Sequence, residues 1–198
     1  MQRELPVRKQ IRLKDYDYSN SGYYFVTICV QDKHELLGKI DVGANYVRPH
    51  LSTLPVRPHL STFPVRPHLS EYGSIVEKEI TVLSKTYDTV EIIKHVVMPN
   101  HIHMIIKIDN DGQAADSGLI VDGNGRTING NGRTQFAPTV SRIIKQFKGS
   151  ITKQIGFSLW QKSFHDHIIR DESDYMEIWN YIDKNPEKWT EDCYFIKK

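Results

Sequence analysis

Two spacings of apolar residues alternate along the chain: one has the two-residue period of strands and the other the three-to-four-residue period of helices. They predict strands over 23–30, 89–98, 101–108 and 164–169, a short partner strand over 36–40, and helices over 74–86, 138–155 and 174–184. We expect Ser74 to cap the first helix and Pro138 to open the second. Pro99 and Asn100 should join the two middle strands in a tight antiparallel connection.

This order of elements predicts an α+β fold. One strand, one helix, an antiparallel pair, one helix and one strand are the sequence of a ferredoxin-like sandwich, an antiparallel sheet with helices on one face. A further helix at the C-terminal end would carry Tyr181.

Two low-complexity segments interrupt the pattern. The nonapeptide at 47–55 recurs at 56–64 and in truncated form at 65–70, and its two prolines per repeat exclude a helix or an interior strand. A Gly- and Asn-rich tract follows later. We therefore predict flexible insertions at 46–70 and 109–136 within a single domain over 1–198.

Composition narrows the class of protein. The formal net charge of +2 excludes a strongly basic or acidic protein, so any nucleic-acid site must be a local patch. The two cysteines form no metal knuckle or disulfide framework. No stretch is apolar enough to span a membrane and no secretory signal is evident, so we expect a cytoplasmic protein without a membrane partner.

A pair of histidines lies at the start of the predicted strand 101–108. The apolar face of that strand is Ile102, Met104, Ile106 and Ile108, so His101 and His103 share the opposite face. Two imidazoles so placed can bind one divalent ion with a third ligand from elsewhere, and such a pair is also typical of a polar surface.

The last predicted helix offers a second pair. Its buried stripe is expected to be Tyr175, Ile178, Trp179 and Ile182, and Tyr181 and Asn185 project together at the edge of that stripe. A phenol can act as a nucleophile and an amide oxygen as a hard ligand. The alternative is a half-buried aromatic residue and a helix-terminal residue before Pro186.

Three motifs together resemble one family. VVMPNHIHM at 96–104, WQKSFHDH at 160–167 and YIDKNP at 181–186 are similar to the REP-associated tyrosine transposases, a branch of the HUH single-strand DNA transposases. The resemblance covers about residues 23–189 outside the two insertions. It implies that His101, His103 and Asn185 bind Mg²⁺ or Mn²⁺, and that Tyr181 cleaves and rejoins hairpin or palindromic single-stranded DNA through a covalent 5′-phosphotyrosine.

Other residues are candidates for contact with DNA. The helix 138–155 carries basic residues without an acid in that stretch, and the N-terminal segment is also basic; the candidates are Arg142, Lys145, Lys148, Lys153, Arg12 and Lys14. Solvation alone would also explain such residues. His165 and His167 form a second pair on one strand face, either as accessory site residues or as ordinary edge-strand histidines.

Two other functions remain open at this point. His101, His103, His165 and His167 together could form the zinc site of a metallohydrolase in which Tyr181 is incidental. A domesticated DNA-binding protein could retain the fold without turnover. The sequence does not distinguish a monomer from a homodimer.

Overall fold

An antiparallel sheet and three helices make up the computed structural model, which describes residues 16, 18, 20–40, 65–110, 120–121, 127–128 and 139–196. The strands are β1 (Gly22–Cys29), β2 (Gly38–Lys39), β3 (His68–Leu69), β4 (Val90–Val97), β5 (His101–Ile108), β6 (Ile120–Val121), β7 (Thr127–Ile128) and β8 (His165–Ile169). The helices are α1 (Glu71–Thr86), α2 (Val140–Ile155) and α3 (Glu172–Lys184), with 3₁₀ turns at Gln31–Lys33 and Trp189–Glu191. Arg12, Lys14 and Pro138 lie outside the described residues.

The main sheet has the strand order β4-β5-β1-β8, and each neighbouring pair is antiparallel. Its even-numbered β5 side chains pack with α1 and α2 in the main core. The odd-numbered face contains Ile105, which packs with Ile178 and Ile182 of α3. The α+β prediction is therefore confirmed, with α1 and α2 on one face and the tyrosine-bearing helix on the other. Within the described residues no helix is long and apolar enough to cross a membrane.

The first helix begins earlier than predicted. Ser70, not Ser74, is the N-cap: its hydroxyl accepts from the backbone N–H of Gly73 at 3.1 Å. Gly73 is required here because a Cβ at this position would lie 1.9 Å from the carbonyl oxygen of Leu37. The prediction of Ser74 was wrong because the true cap belongs to the end of the repeat.

The short strand near residue 38 has an unexpected partner. β2 pairs with β3, which belongs to the third copy of the nonapeptide, so the end of the repeat takes part in the fold. The short β6–β7 pair lies in the Gly- and Asn-rich tract. The first two copies, residues 47–64, lie outside the described residues.

The other predicted elements are confirmed with small changes of boundary. α2 is capped by Thr139, whose hydroxyl accepts from the N–H of Arg142, and it ends at Gly156, which has a left-handed φ of 89°. α3 begins at Glu172, behind an Asp171 cap that accepts from the N–H of Asp174. β4 and β5 form the predicted antiparallel pair across residues 98–100.

Candidate active site

The two histidines at the start of β5 are buried on the face that α3 covers. His101 is 0% exposed and His103 is 1% exposed. His103 lies opposite Thr27 of β1, because the β1–β5 register pairs these residues. The sequence therefore predicted the shared face correctly, and the structure places that face in the interior rather than on a polar surface.

Hydrogen bonds fix both imidazole rings. The Nδ1–H of His101 donates to Asn100 Oδ1 at 2.8 Å, and Nδ1 of His103 is hydrogen-bonded to the Thr27 hydroxyl at 2.9 Å. The two Nε2 atoms consequently face each other at 2.9 Å. Burial, followed by the charge of Lys33, lowers the pKa of His101 to about 3. Burial, followed by the proximity of His101, holds the pKa of His103 well below its usual range, so both rings are neutral at pH 7.

Tyr181 reaches this pair from the last turns of α3. Its hydroxyl lies 3.2 Å from His103 Nε2 and 3.5 Å from Asp192 Oδ2. The side chain is 41% exposed, and its ring contacts Phe25 edge to face at 6.0 Å. Burial, followed by the charge of Asp192, raises the pKa of the phenol, which is therefore protonated at neutral pH.

Asn185 lies one turn after Tyr181, at the C-cap of α3, and is only 3% exposed. Its Nδ2 donates to Asp192 Oδ2 at 2.7 Å. Its Oδ1 is buried and has no hydrogen-bond partner within the described residues. A buried amide oxygen without a donor is unusual in a native structure and is available to a cation.

Asp192 is the residue that sequence reasoning missed. One ligand atom from each of His101, His103 and Asp192 lies within 4.8 Å of the others, the grouping expected of a metal site. Asp192 comes close because the chain turns back after α3, and no spacing in the sequence indicates this return. Its membership of an acidic C-terminal region was the only available signal.

These donors fit a divalent cation. Two neutral imidazole nitrogens and an unpartnered amide oxygen are ligand types that Mn²⁺ and Mg²⁺ accept, and the carboxylate of Asp192 lies beside them. The two Nε2 atoms lie 2.9 Å apart, close enough for both to face one cation. The side chains present therefore fit a divalent metal of the kind that the family resemblance implies.

The segment after α3 closes one side of the site. Trp189 is buried with Met98 and Ile40, and the ring of Tyr194 lies 4.5 Å from that of His101. Asn100 Nδ2 donates to the backbone carbonyl of Tyr194 at 2.9 Å. An open groove of about 440 Å³ runs between the last turns of α3 and this segment, along Tyr181, Asn185 and Asp192.

The second histidine pair does not join the first. His165 and His167 share the sheet face of His103, since they lie opposite Thr27 and Phe25. Neither belongs to the ligand cluster, and His167 Nε2 pairs with Asp174 at 2.8 Å. The four-histidine zinc site is therefore not formed in the part of the chain that the structure describes, because the ligand atoms that converge belong to His101, His103 and Asp192.

The basic residues of α2 lie on the opposite face of the sheet from the histidines. Arg142, Lys145 and Lys153 are exposed there. Lys148 instead donates to the carbonyls of Gln161 and Ser163 at 2.9 and 2.8 Å, and burial lowers its pKa to about 8. It therefore anchors the segment that leads into β8.

Comparison with known proteins gives several relatives, while no protein-family model matches. The chain is 29% identical to an uncharacterized protein of Haemophilus influenzae, over 96% of this chain and 93% of that protein. It is 24% identical to a protein of the same bacterium named REP-associated tyrosine transposase, over 87% of this chain and 74% of the relative.

Two solved structures are also similar. A REP-associated tyrosine transposase bound to a REP hairpin shares 20% identity, with a TM-score of 0.49 over 90% of this chain and 74% of that one. A transposase from Deinococcus radiodurans shares 11% identity, with a TM-score of 0.43 over 86% of this chain and 94% of that one. The resemblance to the REP-associated tyrosine transposases indicated by the three motifs is confirmed by the sequence match over 87% of the chain.

Proposed function

We propose that this chain is a metal-dependent tyrosine transposase that cleaves and rejoins single-stranded hairpin or palindromic DNA. Tyr181 is the nucleophile, and His101, His103 and Asn185 hold Mg²⁺ or Mn²⁺. The observation that carries the proposal is the 3.2 Å approach of the Tyr181 hydroxyl to Nε2 of His103. A nucleophile and two neutral ligands thus share one small site, as transfer of a phosphoryl group requires.

The reaction balances with Tyr181 as the acceptor. Its phenolic oxygen forms a bond to phosphorus while the bond from phosphorus to the 3′ oxygen breaks, leaving a 5′-phosphotyrosine and a free 3′-OH. The phenol starts protonated, because burial and Asp192 raise its pKa. Its proton passes to solvent, to which the side chain is 41% exposed, as the new bond forms, and the departing 3′ oxygen takes up a proton from solvent. Attack by a 3′-OH on the phosphotyrosine reverses these changes and rejoins a strand.

Each surrounding residue has a distinct task in this scheme. Asn100 and Thr27 hold the imidazoles with their Nε2 atoms turned toward one point. A divalent cation bound there would neutralise charge on the phosphate oxygens. The packing of Phe25 against both His103 and Tyr181 fixes the nucleophile relative to the ligands. Positioning of this kind, together with electrostatic stabilisation, supplies most of the rate in phosphoryl transfer.

The basic residues extend the proposed contact with DNA beyond the point of cleavage. Arg142, Lys145 and Lys153 would neutralise phosphates on the far face of the sheet, and the N-terminal Arg12 and Lys14 would add to them. His165 is exposed on the face that also bears His103, where it would contact a strand that crosses the sheet. These contacts set affinity and orientation rather than chemistry.

Formation of a covalent adduct tests the proposal. The protein is incubated with labelled hairpin DNA that has single-stranded flanks, in Mn²⁺, and separated on a denaturing gel. Wild type should give a labelled protein band, Tyr181→Phe should give none, and Tyr175→Phe on the same helix should retain it. An adduct that persists in Tyr181→Phe would refute the assignment. No adduct with wild type, but equal DNA affinity in wild type and Tyr181→Phe, would favour a non-catalytic DNA-binding protein.

A further inference from the structure

Both oxygens of the Asp192 carboxylate are engaged by groups of the site. Oδ1 accepts from the backbone N–H of Tyr194 at 2.7 Å, and Oδ2 accepts from Nδ2 of Asn185 at 2.7 Å. The hydroxyl of Tyr181 lies 3.5 Å from the same Oδ2. The carboxylate of Asp192 therefore contacts its own turn, through Tyr194, and also Tyr181 and Asn185.

The bond to Asn185 determines which end of the amide is free. An amide side chain carries a donor end and an acceptor end, and only the oxygen can ligate a cation. Because Asp192 accepts only, it holds Nδ2, and Oδ1 is left buried and unpartnered within the described residues. A half-turn of the amide would place two oxygens in contact and leave the amide nitrogen in the ligand position.

Asp192 is itself held in place by the fold. Three residues earlier, Trp189 is 3% exposed and packs against Met98. Two residues later, the Tyr194 backbone carbonyl accepts from Asn100, the same side chain that orients His101. The turn is thus anchored on both sides of Asp192, which gives the carboxylate a fixed direction.

We infer that Asp192 is a positioning residue that presents the Asn185 oxygen to the cation, and this inference rests on the proposed function. Asp192 would act through Asn185 rather than as a ligand, since its two oxygens already accept from the Asn185 amide and the Tyr194 N–H. Groups that orient a metal ligand commonly change metal affinity by about 10- to 100-fold when they are removed.

Calorimetric titration with Mn²⁺ alone, on the full chain without DNA, tests the inference. Asp192→Ala should bind about 10- to 100-fold more weakly. Asn185→Ala should bind weakly too, and adding Asp192→Ala to it should cause no further loss. Glu191→Gln removes one charge from the same turn and should leave affinity unchanged.

The outcomes separate the inference from the proposed function. Wild type that binds no Mn²⁺, or Asn185→Ala that binds normally, would overturn the ligand set itself. Weak binding by Asn185→Ala with normal binding by Asp192→Ala would overturn only the positioning role. If the losses caused by Asp192→Ala and Asn185→Ala add in the double variant, the carboxylate is a ligand and the inference fails. Circular dichroism monitors folding, and Asp192→Ser replaces the alanine variant if that variant does not fold.

Discussion

The buried histidine pair should make the stability of the metal-free protein depend on pH. His101 has a pKa of about 3 in the folded chain because it is buried, whereas an exposed histidine in the unfolded chain has a pKa of about 6.5. The unfolded state therefore binds more protons between these two values. The destabilising effect of His101 is therefore nearly absent well above pH 6.5, and the free energy of unfolding falls as the pH drops from 6.5 toward 3.

The magnitude follows from the two pKa values. At pH 5 the unfolded chain gains about 2 kcal/mol from protonating His101, and the loss grows by about 1.4 kcal/mol for each further pH unit until the folded pKa is reached. His103 adds a loss of the same sign, since burial also lowers its pKa. This is a large fraction of the 5–15 kcal/mol of free energy that holds a typical domain together.

Urea unfolding in EDTA at pH 8, 7, 6 and 5 measures the effect in wild type and in His101→Gln. The variant cannot titrate at this position, so other ionisable groups cancel in the comparison. The wild-type free energy of unfolding should fall by about 2 kcal/mol more than that of the variant between pH 8 and pH 5. Parallel curves for the two proteins would refute the buried neutral imidazole.

Three further predictions concern the repeat, the first helix and the basic helix. Deleting 47–64 shortens the connection from β2 to β3 from 28 to 10 residues. The free energy of unfolding in urea should rise by about 0.9 kcal/mol, because closing a shorter loop costs less entropy. A lower free energy of unfolding would show that the two deleted copies pack against the fold. Ser70→Ala should cost about 1 kcal/mol in the same assay and Ser74→Ala clearly less, and equal losses would refute the cap. Lys145→Gln should weaken DNA binding and lower the slope of log affinity against log salt by about one. Lys148→Met should lower the melting temperature, because the carbonyls of Gln161 and Ser163 lose their donor. An unchanged salt slope, or an unchanged melting temperature, would contradict the respective role.

Elements whose signal is local could be predicted from the sequence. The alternation in 101–108 identified both faces of β5, because the period of a strand is short and the core face is continuous. The cap of α1 could not be found in the same way. Ser70 belongs to a repeat whose prolines indicate a loop, and its role depends on β2, about 30 residues earlier in the chain.

The same distinction between local and tertiary signals applies to the residues of the site. Helical spacing placed Tyr181 and Asn185 together, and strand spacing paired His101 with His103, since each pair is fixed by local geometry. Which helix edge meets which strand face is a tertiary fact, and only the family resemblance indicated it. Neither local spacing nor the family resemblance indicated Asp192, because its position depends on the reversal of the chain after α3 and on the burial of Trp189.

The acid sensitivity and the metal affinity expected of this protein have one physical cause. Removing two imidazoles from water is unfavourable for their charged forms, so the fold retains them neutral and satisfies Nδ1 of each with Asn100 and Thr27. The two Nε2 atoms, 2.9 Å apart, can share only one hydrogen when both rings are neutral. At least one lone pair then remains inside the protein without competition from protons down to low pH. A cation that enters meets two neutral rings already held in position, and the shared hydrogen can move to Nδ1 of His103, where the Thr27 hydroxyl accepts it. Cation binding at neutral pH then needs no loss of a proton from the pair, and it stabilises the folded chain.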